Sequence, residues 1–313
     1  MNPGRRLPGT IWSMVRAFFL RRIRRRAAAP PTVPAPEDRD ERMTRHEFLG
    51  ELHRVVAPRN YLEIGVNDGR SLALSRVRSI AIDPAFKITV PIRCDLDLVK
   101  ATSDDFFAQP DPLAHFRASR DRPEGQHGAG RPSDGDPGRA CIDLAFIDGM
   151  HLFEFALRDF MNVERYSDWW SVIVFDDMLP RSEDEAARDR HTRAWAGDVF
   201  KMVPVLARYR PDLIVIPVDT QPTGVLVVLG ADPQSTVLRE RHEEILAEWV
   251  VPDPQQVPRE IMERRAAVAP EGLLAAELWA DLVRARGSAA TDVQGRDVLR
   301  QRAAAIVSRD RRT

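Results

Sequence analysis

The sequence predicts an α/β fold built on a mostly parallel sheet of seven strands with helices on both faces. Apolar runs of strand length alternate with amphipathic stretches between residues 61 and 229, which is typical of parallel sheets. A glycine-rich turn follows the first of these runs, at residues 65–69. Residues 219–223 alone separate the last two runs. Because so short a link cannot form a parallel crossover, we expect the last strand to be antiparallel.

The first apolar run and its turn predict the opening unit of a Rossmann-like, doubly wound sheet. Residues 61–66 predict a buried strand, Gly65 and Gly69 permit a tight turn, and a helix is expected to follow. Asn67 stands where a dinucleotide fingerprint has its second glycine, so a pyrophosphate would fit poorly. Glu63 would repel a phosphate but suits a cationic ligand. S-adenosylmethionine has that character, because it carries a sulfonium and an ammonium but no phosphate.

The spacing Glu63-x-Gly65-x-x-x-Gly69-x-Ser71 resembles the first motif of class I S-adenosylmethionine-dependent methyltransferases. The resemblance implies that these four residues belong to the cofactor site. The expected sheet agrees with it, because an otherwise parallel sheet of seven strands whose last strand is antiparallel is the methyltransferase sheet. Any other α/β protein with a glycine-rich first turn is an alternative explanation of the motif taken alone.

The remaining elements follow from the same patterns. Strands are predicted at residues 79–83, 99–102, 142–148, 171–177, 213–218 and 224–229, and helices at 46–56, 103–107, 153–165 and 195–209. Ser103 is a good N-cap for the helix at 103–107. Helical patterns at 237–249, 258–268, 272–286 and 298–308 carry no recognised chemical motif. They would cover the domain, mediate a homo-oligomer or be partly disordered.

Composition divides the chain into an arm and linker at residues 1–42, a methyltransferase domain at 43–232 and a helical extension at 233–313. A stretch rich in Gly, Pro, Asp and Arg at 117–140 predicts a flexible surface insertion. Residues 1–26 contain eight arginines and no acid, with apolar residues at roughly helical spacing. They predict either an amphipathic helix lying on an anionic membrane surface or a disordered basic arm.

Charge and cysteine content narrow the functional class. The 313 residues carry a net charge of −1, which gives no indication of nucleic-acid binding. Cys94 and Cys141 lack metal or redox spacing. The apolar part of the arm is too short for a transmembrane helix, and no convincing secretory cleavage site follows it. We therefore expect a cytoplasmic protein, peripheral at the membrane surface if the arm binds lipid.

Polar residues at the ends of the second and third predicted strands are further cofactor candidates. Asp83 ends the second strand, where a carboxylate can accept hydrogen bonds from ribose hydroxyls. Its alternative role is to cap the turn at Pro84. Ser103 and Asp104 follow the third strand, where the adenine edge would lie. Capping of the next helix is their alternative role.

Three acids and a histidine follow two neighbouring strands. Asp148 and His151 end the fourth strand, and Asp176 and Asp177 end the fifth. Like charges this close raise each other's pKa unless a cation neutralises them, and Mg²⁺ prefers such oxygen ligands. A single acid at a strand end usually forms a turn, but three with a histidine favour a metal site. Asp148 also faces the expected cofactor crevice, so we count it as a cofactor contact too.

The resemblance now becomes more specific. Residues 146–151 (Phe-Ile-Asp-Gly-Met-His), 158–159 (Arg-Asp) and 174–177 (Val-Phe-Asp-Asp) resemble the branch that includes macrocin-type sugar O-methyltransferases and cephalosporin hydroxylase-like proteins. It covers about residues 44–232. The resemblance implies that Mg²⁺ is bound by Asp148, Asp176 and Asp177, with His151 as general base. Met150 and the insertion at 117–140 depart from the family's pattern and bear on substrate class more than on cofactor.

The sequence thus predicts an S-adenosylmethionine-dependent, Mg²⁺-dependent O-methyltransferase. The expected acceptor is a hydroxyl on a sugar or on a glycosylated or lipid-linked small molecule. Alternatives are a metal-independent or N-directed methyltransferase and a non-catalytic scaffold that binds the cofactor. Arg193, Trp195 and Asp198 either contact the substrate or belong to a solvated helix face, and Trp195 beside Gly197 suggests a lid.

Overall fold

The computed structural model describes residues 42–117, 140–286 and 292–310, and seven strands within them form one sheet. The strand order is 3-2-1-4-5-7-6, strands 1–5 pair in parallel, and strand 7 lies antiparallel between strands 5 and 6. The predicted doubly wound, mostly parallel Rossmann-like sheet with an antiparallel last strand is therefore confirmed. In chain order, the strands are β1 (Asn60–Ile64), β2 (Arg78–Ile82), β3 (Leu96–Val99), β4 (Leu144–Ile147), β5 (Val172–Phe175), β6 (Ile214–Val218) and β7 (Val225–Leu229).

Helices cover both faces of this sheet. They are α1 (Arg45–Val56), α2 (Ser103–Phe107), α3 (Ala114–Arg117), α4 (Phe153–Glu164), α5 (Met202–Tyr209), α6 (Val237–Glu240), α7 (His242–Trp249), α8 (Arg259–Met262), α9 (Pro270–Leu274), α10 (Leu278–Ala285) and α11 (Asp292–Asp310), with 3-10 turns at Leu72–Leu74 and Val199–Lys201. Within the described ranges, no helix has the length and apolarity needed to span a membrane.

The core has two layers because successive side chains of a strand point to opposite faces. Leu62 and Ile64 of β1 enter the layer formed with α4 and α5. Tyr61 enters the opposite layer, which α1, α9, α10 and α11 cover. Trp279 of α10 is one of its buried side chains, so the C-terminal helices complete the same face that α1 covers.

Thr44 fixes the start of α1. Its hydroxyl accepts a hydrogen bond from the Glu47 amide at 3.3 Å, while the Glu47 carboxylate accepts one from the Thr44 amide at 2.8 Å. This capping box satisfies donors that the first turn leaves free. The amide of Arg45 also donates to the Gln221 carbonyl at 3.0 Å, which fixes the N-terminus of α1 to the loop between β6 and β7.

Some predicted elements are wrong at the glycine turns and the sheet edge. The helix expected after the first glycine turn is only the 3-10 turn Leu72–Leu74, because β2 already begins at Arg78. β3 lies at Leu96–Val99 rather than 99–102, since Thr102 leaves the sheet to cap α2. The helix expected from residue 195 begins only at the 3-10 turn, because Gly197 has a left-handed φ of +65°.

The C-terminal helices also differ from the predicted ones. The pattern at 237–249 forms two helices that meet at Arg241, and the pattern at 258–268 forms only α8, after which Arg264 adopts a left-handed φ. The pattern at 272–286 is divided between α9 and α10, whereas α11 is longer than predicted. The predictions for residues 1–41, which include the basic arm, and for the insertion at 118–139 lie outside the described residues.

Candidate active site

The loops that leave β4 and β5 lie side by side at the carboxyl edge of the sheet. The Asp148 amide donates to the Ile64 carbonyl at 2.8 Å, and the Asp176 amide donates to the Ile147 carbonyl at 3.1 Å. These bonds extend the parallel ladder by one residue beyond each strand. Asp148 is therefore fixed beside the end of β1, and Asp176 beside the end of β4, as the sequence predicts.

Asp148, His151 and Asp177 form a compact group, which we call the acid–imidazole cluster. One ligand atom from each of the three lies within 4.8 Å of the others. His151 Nδ1 is 2.9 Å from Asp177 Oδ2, and His151 Nε2 is 3.4 Å from Asp148 Oδ1. The imidazole thus lies between the two carboxylates and contacts each through a different ring nitrogen.

The carboxylates control the charge of the imidazole. Burial opposes the imidazolium form, but the hydrogen bonds and charges of Asp148 and Asp177 outweigh burial and raise the pKa of His151 to about 10. Burial, together with the neighbouring charge of Asp177, raises the pKa of Asp148. Burial also opposes the charge of Asp177, but the hydrogen bond from His151 outweighs it and lowers the pKa of Asp177.

Asp177 is held in place by its backbone and by a second partner. Its φ is +63°, a left-handed value that is unusual for a residue with a side chain. The Thr223 hydroxyl donates to Asp177 Oδ1, which leaves Oδ2 facing His151. Thr223 lies just before β7, so the predicted hairpin of β6 and β7 supplies a residue that orients the cluster.

Asp176 lies outside the cluster and pairs with Arg45 instead. Arg45 Nη1 contacts Asp176 Oδ2 and lies 3.7 Å from Asp148 Oδ2. The Asp176 side chain is only 1% exposed, and Oδ1 has no hydrogen-bond partner among the described residues, while Oδ2 faces the guanidinium. The guanidinium therefore spans two of the three acids that the sequence predicts to bind Mg²⁺.

A loop before α5 covers His151. The Trp195 ring stacks on the imidazole with 5.1 Å between centroids and 9° between planes, and the Trp195 carbonyl lies 3.0 Å from His151 Nδ1. A Cβ on Gly197 would lie 1.7 Å from the His151 carbonyl oxygen, so only glycine permits this approach. The predicted lid role of Trp195 agrees with this position.

Asp198 fixes the loop that carries Trp195 through buried hydrogen bonds. It is fully buried and accepts hydrogen bonds from the Phe153 amide at 2.8 Å, from Arg188 at 2.7 Å and from Lys201 at 2.7 Å. Both interpretations of Asp198, as a substrate contact and as part of a solvated helix face, are wrong, because its carboxylate binds the start of α4. Arg193, by contrast, is exposed.

Gly65 places the β1 turn directly against the β4 loop. Its φ is +87°, and a Cβ there would lie 1.9 Å from the Asp148 carbonyl oxygen. Gly69 also has a positive φ, of +83°, and packs against the side chain of Ile88. Both predicted turn glycines are therefore required by the fold. Gly65 on one side and Gly197 on the other confine the loop that carries Asp148 and His151.

The predicted cofactor acids have partners within the protein. Glu63 is fully buried and accepts hydrogen bonds from the Tyr61 hydroxyl at 2.6 Å and the Ser71 hydroxyl at 2.7 Å. Burial raises the pKa of Glu63 to about 8. Asp83 Oδ2 accepts from the amides of Val66 and Asn67 at 2.9 and 2.8 Å, so Asp83 holds the glycine turn. Direct contact of these side chains with a cofactor stays a prediction.

Asp83 also caps the turn at Pro84, as its alternative interpretation predicts. Its Oδ1 accepts a hydrogen bond from the Ala85 amide at 2.6 Å. A carboxylate can accept further hydrogen bonds, because its two oxygens offer about four lone-pair sites. The capping role is therefore compatible with the predicted ribose contacts.

Ser103 and Asp104 lie at the start of α2, at the same edge of the sheet. The N-cap is Thr102, whose hydroxyl accepts from the Asp105 amide at 3.1 Å, so the prediction of Ser103 as N-cap is wrong. The Ser103 hydroxyl instead donates to the buried carboxylate of Asp159. Burial raises the pKa of Asp159 to about 7. Asp104 pairs with Arg158 at 3.1 Å.

The donor set fits a hard divalent cation. Two carboxylates and an imidazole converge in the acid–imidazole cluster, and Asp176 lies beside them with a buried oxygen, Oδ1, that has no partner among the described residues. Mg²⁺ and Mn²⁺ favour oxygen ligands, and imidazole also suits transition metals. Asp148 and Asp177 would hold such an ion, with Asp176 as a further ligand once the Arg45 side chain has left it.

Sequence reasoning missed three residues of this site. Arg45 directly precedes the helix predicted at 46–56, and only the packing of α1 brings it to Asp176. Asp159 belongs to the motif at 158–159, to which the family resemblance assigns no role. Thr223 lies in the short link between the last two strands, whose length predicted the hairpin but not its contact with Asp177.

The comparisons with known proteins concern the fold. No family model matches the chain, and no curated protein matches its sequence. Solved structures similar to the chain include an O-methyltransferase from Bacillus cereus in complex with SAH, at 14% identity over 72% of this chain and 92% of that chain, with a TM-score of 0.38. The SAH-bound methyltransferase PaMTH1 from Podospora anserina has 14% identity over 74% and 100% of the two chains, with a TM-score of 0.41.

A third similar structure is the O-methyltransferase TomG from Streptomyces achromogenes in complex with SAM, at 20% identity over 60% of this chain and 79% of that chain, with a TM-score of 0.39. Because all three TM-scores are below 0.5, we take the function from the geometry of the site alone. None of the comparisons bears on the macrocin and cephalosporin hydroxylase-like branch.

Proposed function

We propose that this chain is an S-adenosylmethionine-dependent methyltransferase that methylates a hydroxyl of a small molecule with the help of Mg²⁺. The acid–imidazole cluster at the carboxyl edge of the sheet carries the proposal. Ligands of doubly wound sheets bind outside the carboxyl ends of the strands, where the strand order reverses. β1 and β4 flank that point, so a cofactor at the Gly65–Gly69 turn would lie next to the cluster.

His151 is the proposed general base. A hydroxyl is a poor nucleophile because it holds its proton far above neutral pH, so transfer of a methyl group requires a nearby base. Asp177 and the Trp195 carbonyl lie next to Nδ1 and fix the ring, while Nε2 faces Asp148. When bound, Mg²⁺ would polarise the acceptor hydroxyl and offset the charges that raise the pKa of His151.

The proposed acceptor is a hydroxyl on a sugar or on a glycosylated or lipid-linked small molecule. The resemblance of residues 146–151 and 174–177 to macrocin-type sugar O-methyltransferases and cephalosporin hydroxylase-like proteins supports this class. Trp195 stacks on His151 beside the cluster, where its ring could contact the acceptor.

Two alternatives differ from this proposal in chemistry. A metal-independent or N-directed methyltransferase would bind the same cofactor, with Arg45 supplying the positive charge among the acids. A non-catalytic scaffold would bind the cofactor without turnover. The convergence of Asp148, His151 and Asp177 favours catalysis, because a scaffold has no need of a base between two carboxylates.

We also propose a cytoplasmic setting in which residues 1–26 hold the enzyme at an anionic membrane surface. Their eight arginines and lack of acids support electrostatic attraction to such a surface. Sedimentation with vesicles of phosphatidylserine and phosphatidylcholine tests this: binding should weaken as salt shortens the Debye length. Equal sedimentation of a variant lacking residues 1–26 would refute it.

Calorimetric titration of the full chain with S-adenosylhomocysteine tests the cofactor, with NAD⁺ as control ligand. We expect one site for the former and none for the latter. Transfer of a labelled methyl group to a panel of sugar and glycolipid hydroxyls, with Mg²⁺ or with EDTA, then tests the reaction. Failure of the folded chain to bind the cofactor would refute the proposal. Undiminished transfer in EDTA would support the metal-independent alternative, and binding without transfer to any acceptor would support the scaffold.

A further inference from the structure

Asp176 presents an unusual electrostatic problem. Its side chain is 1% exposed, it follows β5 directly, and apart from the Arg45 guanidinium its oxygens have no polar partner among the described residues. A buried carboxylate without hydrogen bonds is strongly disfavoured unless a cation lies beside it. In the described part of the chain, the cation that contacts Asp176 is Arg45.

Arg45 is held in this position by secondary structure. It is the first residue of α1, just after the Thr44 cap, and its amide donates to the Gln221 carbonyl at 3.0 Å. The Gln221 amide in turn donates to the Met43 carbonyl at 3.0 Å. The backbone that carries the guanidinium is therefore fixed on both sides, while the side chain itself, 28% exposed, retains a path towards solvent.

The guanidinium contacts oxygens that would also hold the predicted metal ion. It contacts Asp176 Oδ2 and is 3.7 Å from Asp148 Oδ2, so it stands between two of the three predicted metal ligands. A divalent ion bound to the same oxygens would lie within a few ångströms of the guanidinium, and the two positive charges would repel each other. One cation must leave for the other to bind.

We propose that Arg45 is a tethered cation that competes with a divalent metal ion for the carboxylates of Asp148 and Asp176. The inference rests on the proposed function, because it concerns the metal site assigned there. Arg45 sets the affinity of the site: metal binding requires its side chain to leave Asp176 and turn towards solvent. The chain therefore binds Mg²⁺ or Mn²⁺ more weakly than its acidic residues alone would.

Binding of Mn²⁺ to the full chain, followed by electron paramagnetic resonance of the free ion, tests this competition. Arg45→Met removes the charge but keeps a long side chain, and we expect it to bind Mn²⁺ at least about tenfold more tightly than the parent. Arg42→Met is the matched control. Arg42 lies three residues earlier and pairs with Asp219 at 2.7 Å, so its loss changes the net charge equally and leaves the cluster untouched.

The possible results separate the inference from the proposed function. Equal Mn²⁺ affinity in the parent and Arg45→Met, or the same gain in Arg42→Met, would overturn the competition. No Mn²⁺ binding in any of the three would overturn both the competition and the metal dependence, while titration of S-adenosylhomocysteine into the same samples would still decide whether the chain binds the cofactor.

A second measurement uses the parent and does not depend on the stability of Arg45→Met. The Nε–H resonance of Arg45, assigned by its loss in Arg45→Lys, should move on addition of Mg²⁺ towards the position of a solvent-exposed arginine. The Arg42 resonance should stay in place. An Arg45 resonance that is unchanged at Mg²⁺ saturation would overturn the inference.

Discussion

Substitution of Gly65 by alanine should destabilise the fold and displace the β4 loop. Gly65 has a φ of +87°, a conformation that costs a residue with a Cβ about 1–3 kcal/mol. The new Cβ would lie 1.9 Å from the Asp148 carbonyl oxygen and 2.3 Å from the carbonyl carbon. Both distances are far shorter than a van der Waals contact. Because these are backbone atoms, the loop itself must move, and overpacking of this kind typically costs a further 1–3 kcal/mol.

We therefore expect Gly65→Ala to lose at least about 2 kcal/mol of unfolding free energy. Urea denaturation followed by tryptophan fluorescence measures the loss. With a denaturant slope of roughly 3 kcal/mol/M, the midpoint should fall by roughly 0.7 M. The displaced loop carries Asp148 and His151, so activity should fall beyond what the loss of folded protein explains.

Gly272→Ala is the matched control. Gly272 is an exposed residue of α9, and a Cβ there would have nothing within 4 Å. Since alanine favours a helix over glycine by roughly 0.5–1 kcal/mol, this variant should match or exceed the parent in stability. A Gly65→Ala protein as stable as Gly272→Ala would refute the close approach of the β1 turn to Asp148.

Three further predictions concern residues around the site. His151→Ala should reduce turnover about 10²–10⁴-fold while leaving cofactor affinity unchanged in calorimetry, and near-parental turnover across the pH range would exclude the general-base role. Asp198→Ala should lose about 3–5 kcal/mol in urea denaturation, because it leaves Lys201 buried without its partner, whereas an effect below 1 kcal/mol would contradict the network. The pKa of Glu63 is raised to about 8 from an ordinary 4.5, so protonation of Glu63 favours the folded state. This stabilisation is complete below pH 4.5 and is lost as the pH rises through 8. Glu63→Gln should thus gain stability relative to the parent between pH 5 and pH 9, and a difference that is constant with pH would argue against the buried acid.

The sequence predicted those features that local pattern and chain topology determine, namely the strands, their shared edge and the final hairpin. The apolar runs that end in Asp148 and in Asp176-Asp177 predicted both strands and the shared edge, because the carboxyl ends of neighbouring parallel strands must meet. The short link at residues 219–223 predicted the antiparallel hairpin, since its length excludes a crossover. The positions of these residues at the ends of two neighbouring strands were therefore enough to predict that three acids and a histidine lie close together.

The partners of these side chains depend on contacts that no local pattern records. The strand end predicts a ribose contact for Asp83, and the structure adds hydrogen bonds that Oδ2 accepts from two amides of the glycine turn and Oδ1 accepts from the Ala85 amide. The first turn of α1 gives no sign that Arg45 will reach Asp176, because that contact requires α1 to dock against the loop before β7. Gly197 likewise delays the start of the helix predicted at 195–209, for a reason that lies 46 residues earlier, at the His151 carbonyl.

The most direct test of the proposed site is an anomalous difference map from crystals of the full chain grown with S-adenosylhomocysteine and Mn²⁺. We predict the cofactor product over the carboxyl ends of β1 and β2, and an anomalous peak about 2–2.5 Å from carboxylate oxygens of Asp148 and Asp177. The proposed site would be contradicted if no cofactor bound beside the Gly65–Gly69 turn at saturating concentration. It would also be contradicted if the only Mn²⁺ peak lay at the surface group of Asp189, His191 and Asp253.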